Sequence, residues 1–141
     1  MRHLEISSLS KSFGPTRAVN DLNLQVERGE TLSILGPSGC GKTTTLRMIA
    51  GLETPSSGTI LSNGQNITNL PARARNMGMV FQNYALFPHL NVFENVAFGL
   101  KTRRLSAAVI EQRVTKALAS VRMDGTARRP VHELSGGQQQ R

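Results

Sequence analysis

At 141 residues, with 38% hydrophobic residues and 13 glycines, the chain has the makings of one globular domain with a sizeable core, burying roughly 68% of its unfolded surface. It has no apolar run near the ~20 residues of a membrane span and no secretory core behind Met1-Arg2-His3-Leu4-Glu5; the lone Cys40 excludes an intrachain disulfide or a multi-cysteine metal site. The net charge of +8 concentrates in residues 71–141, where eleven Lys/Arg face four Asp/Glu; residues 1–70 carry six against five.

Leu4-Glu5-Ile6 and Leu22-Asn23-Leu24-Gln25-Val26 alternate apolar and polar residues, the period of strands with one buried face. Glu27-Arg28-Gly29-Glu30 turns the chain, and Thr31-Leu32-Ser33-Ile34-Leu35 reads as a short buried strand feeding a glycine-rich loop. Thr44 to Ala50 reads as a helix with Leu46, Ile49 and Ala50 on its apolar face, stopped by Gly51. Pro55-Ser56-Ser57-Gly58 is a loop, and Asn63-Gly64 predicts a hairpin turn between Thr59-Ile60-Leu61 and the run around Ile67. Met77-Gly78-Met79-Val80-Phe81 reads as another apolar strand, ending at Gln82, and a loop follows from Asn83 to Leu90.

Beyond that loop the period changes. Asn91 with Glu94 fits an N-cap and its reciprocal acid, and Phe93, Val96, Ala97 and Leu100 recur at helical spacing. A second amphipathic helix begins near Ser106, with Ile110, Val114, Ala117, Leu118 and Val121 on one stripe, and Asp124-Gly125 breaks it. The expected organisation is a β-rich portion with one strand–loop–helix unit over 1–82, then a loop, a helical subdomain and the start of a further helix over 83–141.

Gly36-Pro37-Ser38-Gly39-Cys40-Gly41-Lys42-Thr43 matches G-x-x-x-x-G-K-[ST] and lies between a predicted strand and a predicted helix. Wrapping phosphates requires inward-pointing N–H groups without intervening side chains, which glycines permit, and a helix N-terminus adds partial positive charge. Lys42 is placed to reach the β- and γ-phosphates of a nucleotide, the Thr43 hydroxyl to ligate Mg²⁺, and Thr44 to add a phosphate hydrogen bond. Cys40 fills a variable position as a small residue, although a helix N-terminus could sensitise its thiol.

Leu134-Ser135-Gly136-Gly137-Gln138 resembles the signature motif of ATP-binding-cassette (ABC) ATPases, and the resemblance extends along all 141 residues. Gly41 to Glu53 and Val80 to His89 resemble the importer ATPases for sugars, polyamines, iron and sulfate. The resemblance implies an α/β P-loop NTPase core with an antiparallel β subdomain and a helical subdomain. It implies ATP and Mg²⁺ as cofactors, with Phe13 stacking on adenine and Gln82 touching the Mg²⁺ and the attacking water. It also implies a head-to-tail dimer, in which Ser135, Gly136, Gly137 and Gln138 of one chain complete the Lys42 pocket of the other. The loop around Tyr84 to Leu90, with Phe87 and Pro88, would face membrane permease subunits, or else simply pack on its own hydrophobics.

Relatives follow the signature with an apolar strand ending in Asp, a catalytic Glu and a switch histidine; His3, His89 and His132 all precede it here. The chain is therefore expected to be the N-terminal portion of an importer ATPase, cytoplasmic and peripheral on the membrane's inner face, and unable to hydrolyse ATP alone. Other readings are a soluble ABC ATPase of DNA repair or translation, or a non-catalytic binding module. The scattered positives (among them Arg73, Arg75, Arg103, Arg104 and Arg129) read as a solvated basic face or a surface for membrane or an acidic partner, and nucleic acid is not expected.

Overall fold

The computed structural model describes residues 2–141, which form two compact units meeting in sequence at Met79 and Val80. The first unit is built on a four-stranded antiparallel sheet in the order β2-β1-β3-β4, with β1 Arg2–Phe13, β2 Thr16–Glu27, β3 Ser57–Ser62 and β4 Gln65–Asn66. Alternation does what the sequence pattern implies: Ile6 of the central strand pairs with Leu24 on one side and Ile60 on the other. Ile6, Leu9, Val19 and Ile60 form one buried face, which Met48 and Ile67 complete. Each such side chain contributes about 1.5–3 kcal/mol by leaving water.

Both long strands run well past the predicted runs, and bulges at Ser8 (φ 49°) and Asp21 (φ 47°) shift their register. Those irregularities are tied by side chains, the Ser8 amide donating to Asn23 Oδ1 at 2.8 Å and the Asp21 amide to Ser10 Oγ at 2.9 Å. The Asn63-Gly64 turn is present, with φ of 49° and 78°, the double left-handed conformation a tight hairpin requires.

Helix α1 spans Lys42–Ala50 and ends on Gly51 in the left-handed conformation (φ 77°), whose amide bonds the carbonyls of Arg47 and Met48. Its buried side is Thr45 and Met48, with Ile49 packed beside them. This corrects the predicted Leu46–Ile49–Ala50 face: Leu46 is 48% exposed and lines an open cavity with Leu32 and Ile34.

The predicted strands Thr31–Leu35 and Met77–Phe81 are absent from the sheet, and no ladder among the described residues includes them. Leu35 is 89% exposed and Val80 91%. Continuous apolar runs of this kind suit central parallel strands covered on both faces. A parallel strand cannot find its partner through a local hairpin, and the only sheet among the described residues is antiparallel. Arg75 also departs from expectation. It ends the short helix α2, Ala72–Arg75, and is 7% exposed instead of belonging to a solvated basic face.

The second unit is helical. Helix α3, Val92–Thr102, starts with the predicted capping box, Asn91 and Glu94 each bonding the other's backbone amide. Helix α4, Ala107–Ser120, buries Ile110, Val114 and Leu118 against Val92 and Ala97. Val96 and Ala117 lie off that seam and line an open apolar cavity of about 410 Å³ instead. A 3₁₀ turn at Val131–Glu133 leads into the short helix α5, Gly136–Gln140.

Candidate functional site

The phosphate-loop motif forms the entrance to α1. Gly41 is its N-cap, with φ 91° and ψ 1°, a conformation costing an L side chain roughly 1–2 kcal/mol. Glycine is required for a second reason: a Cβ there would sit 2.3 Å from the Ala18 carbonyl oxygen of β2. The loop is thus pressed directly against the β1–β2 hairpin.

No side chain caps α1, and its first turn contains no acidic residue. The first turn of a helix leaves N–H groups without intrahelical partners, and its end carries partial positive charge. The Thr45 amide closes the first helical bond, to the Gly41 carbonyl at 2.8 Å. Lys42 folds its ammonium back into the loop, donating to the Gly36 and Pro37 carbonyls at 2.7 Å each, with Cys40 Sγ at 3.5 Å. One concave loop therefore combines a helix N-terminus, an ammonium and the exposed Thr43 hydroxyl. That donor set fits a polyphosphate, with Thr43 available to a divalent cation that the phosphates also hold.

Phe13 occupies the tip of the hairpin whose β2 strand touches Gly41, paired with Thr16 across the Gly14 turn, and is 48% exposed. A cavity of about 590 Å³ adjoins the loop in this unit, lined among others by Arg17, Val19, Cys40 and Lys42.

The remaining predicted residues belong to the second unit. Gln82 is exposed in a turn at the start of the loop to Leu90. Within that loop Tyr84 and Ala85 both take left-handed backbone angles (φ 59° and 49°), an uncommon arrangement for side-chain-bearing residues that clusters at functional segments. Phe87 stacks on Phe98 with centroids 4.6 Å apart and meets His89 edge-on at 6.1 Å. Ser135 caps α5: its Oγ accepts from the Gln138 amide at 3.3 Å while Gln138 Oε1 accepts from the Ser135 amide at 2.9 Å. Gly136 and Gly137 follow with no heavy atom within 4 Å of a notional Cβ, so the turn's backbone is open.

Three residues absent from the motifs hold these parts in place. Arg75 donates to four backbone carbonyls: Leu70 at 2.7 Å, Met48 at 2.7 Å, Ile49 at 2.9 Å and Thr68 at 2.8 Å. Burial lowers its pKa from the ordinary arginine value. Asn95 of α3 accepts from the Phe87 amide at 2.8 Å and donates to the carbonyls of Phe87, Leu90 and Asn91. Lys11 pairs with Glu53 at 2.6 Å. Arg75 and Asn95 bond backbone groups distant in sequence or in an irregular loop, which no spacing rule announces. Lys11 left a faint signal, standing two residues before an aromatic on a strand.

The profile of the ABC transporter family matches residues 19–141, and the chain belongs to that family. Among individual proteins, it is similar to the spermidine/putrescine import ATP-binding protein PotA of Vibrio vulnificus (strain YJ016), 56% identical over 98% of this chain and 37% of that protein. The PotA of Haemophilus influenzae (strain 86-028NP) is 51% identical over the same shares. The chain thus spans about 37% of the length of the curated relatives it matches. A solved dimeric, post-hydrolysis state of an ATP-binding cassette bound to ADP and Pi superposes with a TM-score of 0.85 at 30% identity, over 97% of this chain and 65% of that one. The architecture is accordingly the ABC ATPase α/β fold, with its antiparallel β portion and its helical portion.

Proposed function

We propose that the chain is the ATP-binding part of an importer subunit that couples MgATP binding and hydrolysis to solute uptake through separate membrane permease subunits. The observation that carries this reading is the Lys42 ammonium held inside a glycine loop at an uncapped helix N-terminus. Similarity to spermidine/putrescine import proteins favours small polyamines as the cargo class. Lys42 moves from the loop carbonyls onto the β- and γ-phosphates, and backbone amides of residues 39–44 surround the phosphate chain. Thr43 and Gln82 would hold a Mg²⁺, which would supply charge neutralisation at the phosphoryl group, and Gln82 would orient the attacking water. Phe13 supports adenine. Ser135 and Gly137 of a second subunit close the pocket, since their open turn suits a further anion contact. The segment Tyr84–Leu90, shaped by Asn95 and the Phe87–Phe98 stack, supplies the permease-facing surface. The site works on the cytoplasmic side of the membrane; among the described residues no helix is long and apolar enough to cross one.

Titration of the intact chain with MgATP tests the first step. Lys42→Ala should lower affinity by at least about tenfold, the loss of one charge-assisted phosphate contact; unchanged affinity sinks the proposal. Restoration of spermidine uptake by the full-length protein, in cells lacking their own importer ATPase, tests the cargo class.

A further inference from the structure

Lys11 and Phe13 stand near the end of β1, two residues apart, where strand side chains share a face. The Lys11 ammonium lies 4.9 Å from the centroid of the Phe13 ring. Two groups hold it there: Glu53 Oε1 at 2.6 Å and the Thr54 carbonyl oxygen at 2.7 Å. Only 14% of the Lys11 side chain is exposed, whereas Phe13 keeps 48% of its surface. A lysine on a strand end ordinarily keeps its rotamer freedom in water, so three convergent partners mark a fixed side chain.

The segment supplying those partners begins just after Gly51, the C-cap of the helix that Lys42 opens. It is fastened to β1 a second time, by the Ser12 amide on Ser56 Oγ at 3.1 Å and the Ser56 amide on the Ser10 carbonyl at 2.8 Å. A continuous chain of contacts therefore runs from the far end of the phosphate-loop helix, through Glu53 and Lys11, to the face of Phe13.

We propose that Lys11 is a positioning residue for the nucleotide base: anchored by Glu53 and Thr54, it holds one face of Phe13 so that the ring is preset to stack on adenine. This deepens the reading of Phe13 as the adenine platform and rests on it. A ring already ordered by a cation on one face spares that ordering at the moment of binding. The effect belongs to the base and not to the phosphates, which separates Lys11 from a residue that merely supports the fold.

The test compares ATP with inorganic tripolyphosphate, titrated into the intact chain. Lys11→Met should weaken ATP about three- to tenfold while leaving tripolyphosphate within about twofold, and Lys11→Arg should restore ATP to within about twofold. Phe13→Ala should show the same ATP-only loss. The chain lacks tryptophan, so Phe13→Trp provides a single reporter whose fluorescence anisotropy should fall when Lys11→Met is added. Equal weakening of both ligands by Lys11→Met, or no weakening of ATP, overturns the role of Lys11. If Phe13→Ala leaves ATP affinity unchanged, the platform itself is wrong and this proposal falls with it. An ATP-only loss in Phe13→Ala without one in Lys11→Met overturns only the lysine.

Discussion

Replacing Arg75 with methionine keeps much of the side chain's length and removes the guanidinium. Four hydrogen bonds to carbonyls disappear together, at Leu70, Met48, Ile49 and Thr68. Bonds to a charged donor are worth about 1.5–3 kcal/mol each, yet burying the charge offsets a large part of that sum. The variant no longer buries a charge but strands carbonyls that had been paired, although the Met48 carbonyl retains a second bond, from Gly51. The expected net loss is about 3–5 kcal/mol, a large share of the 5–15 kcal/mol typical of a domain. Arg75→Lys should recover less than half, since one ammonium cannot span four carbonyls with the guanidinium's planar fork. Urea unfolding monitored by circular dichroism measures the loss, and hydrogen exchange of the α1 amides locates it. A loss under about 1 kcal/mol, with α1 protected as in the parent chain, would refute the claim that Arg75 clamps the C-terminal end of α1.

Gly41→Ala should cost more than Gly39→Ala by about 1–3 kcal/mol in thermal unfolding, because both positions have positive φ but only the former's Cβ would meet a backbone oxygen, at 2.3 Å; equal costs would remove the close approach to Ala18 from the account. Asn95→Leu should loosen the loop, raising amide exchange from Phe87 to Leu90 at a stability cost of about 1–3 kcal/mol, whereas Asn95→Asp should keep protection at the Phe87 amide, which needs only the acceptor oxygen. The Lys11 hydrogen bond, aided by the Thr54 amide and Arg47, holds the Glu53 carboxyl below its ordinary value of 4.5. Its contribution is therefore complete above that ordinary value and lost as pH falls through the depressed one. A carbon-13 titration should show Glu53 moving back up toward 4.5 in Lys11→Met, and an unmoved titration would mean that the pair is not formed in solution.

Local chemistry was legible in the sequence, and partnerships across distance were not. The Asn91–Glu94 box, the Asn63-Gly64 turn and the Gly51 stop are each decided by a few adjacent residues, and each is present. The runs at Thr31–Leu35 and Met77–Phe81 have strand composition but depend on neighbours brought from elsewhere, and neither is in a ladder. The error at Leu46 has the same origin, for it lines an open cavity bordered by Leu32 and Ile34 of the unpaired run. In the candidate site, Gly36 to Thr44 stood out because the motif's residues are consecutive in the chain. Lys11, Arg75 and Asn95 did not, because each acts through backbone groups or a ring that only the fold brings near.

Those hidden residues explain how a nine-residue helix can aim a phosphate loop. Isolated helices of that length are marginal in water, so the orientation of α1 must come from its attachments. At the N-terminal end, Gly41 lies so close to the Ala18 carbonyl that only glycine fits. At the other end Arg75 gathers the Met48 and Ile49 carbonyls and ties them to the turn at Thr68 and Leu70. Pinned at both ends to one hairpin and its flanking turns, α1 cannot tilt without breaking contacts at each. The placement of Lys42 is then a property of the whole first unit, and substitutions far from the nucleotide should act on affinity through the angle of this helix.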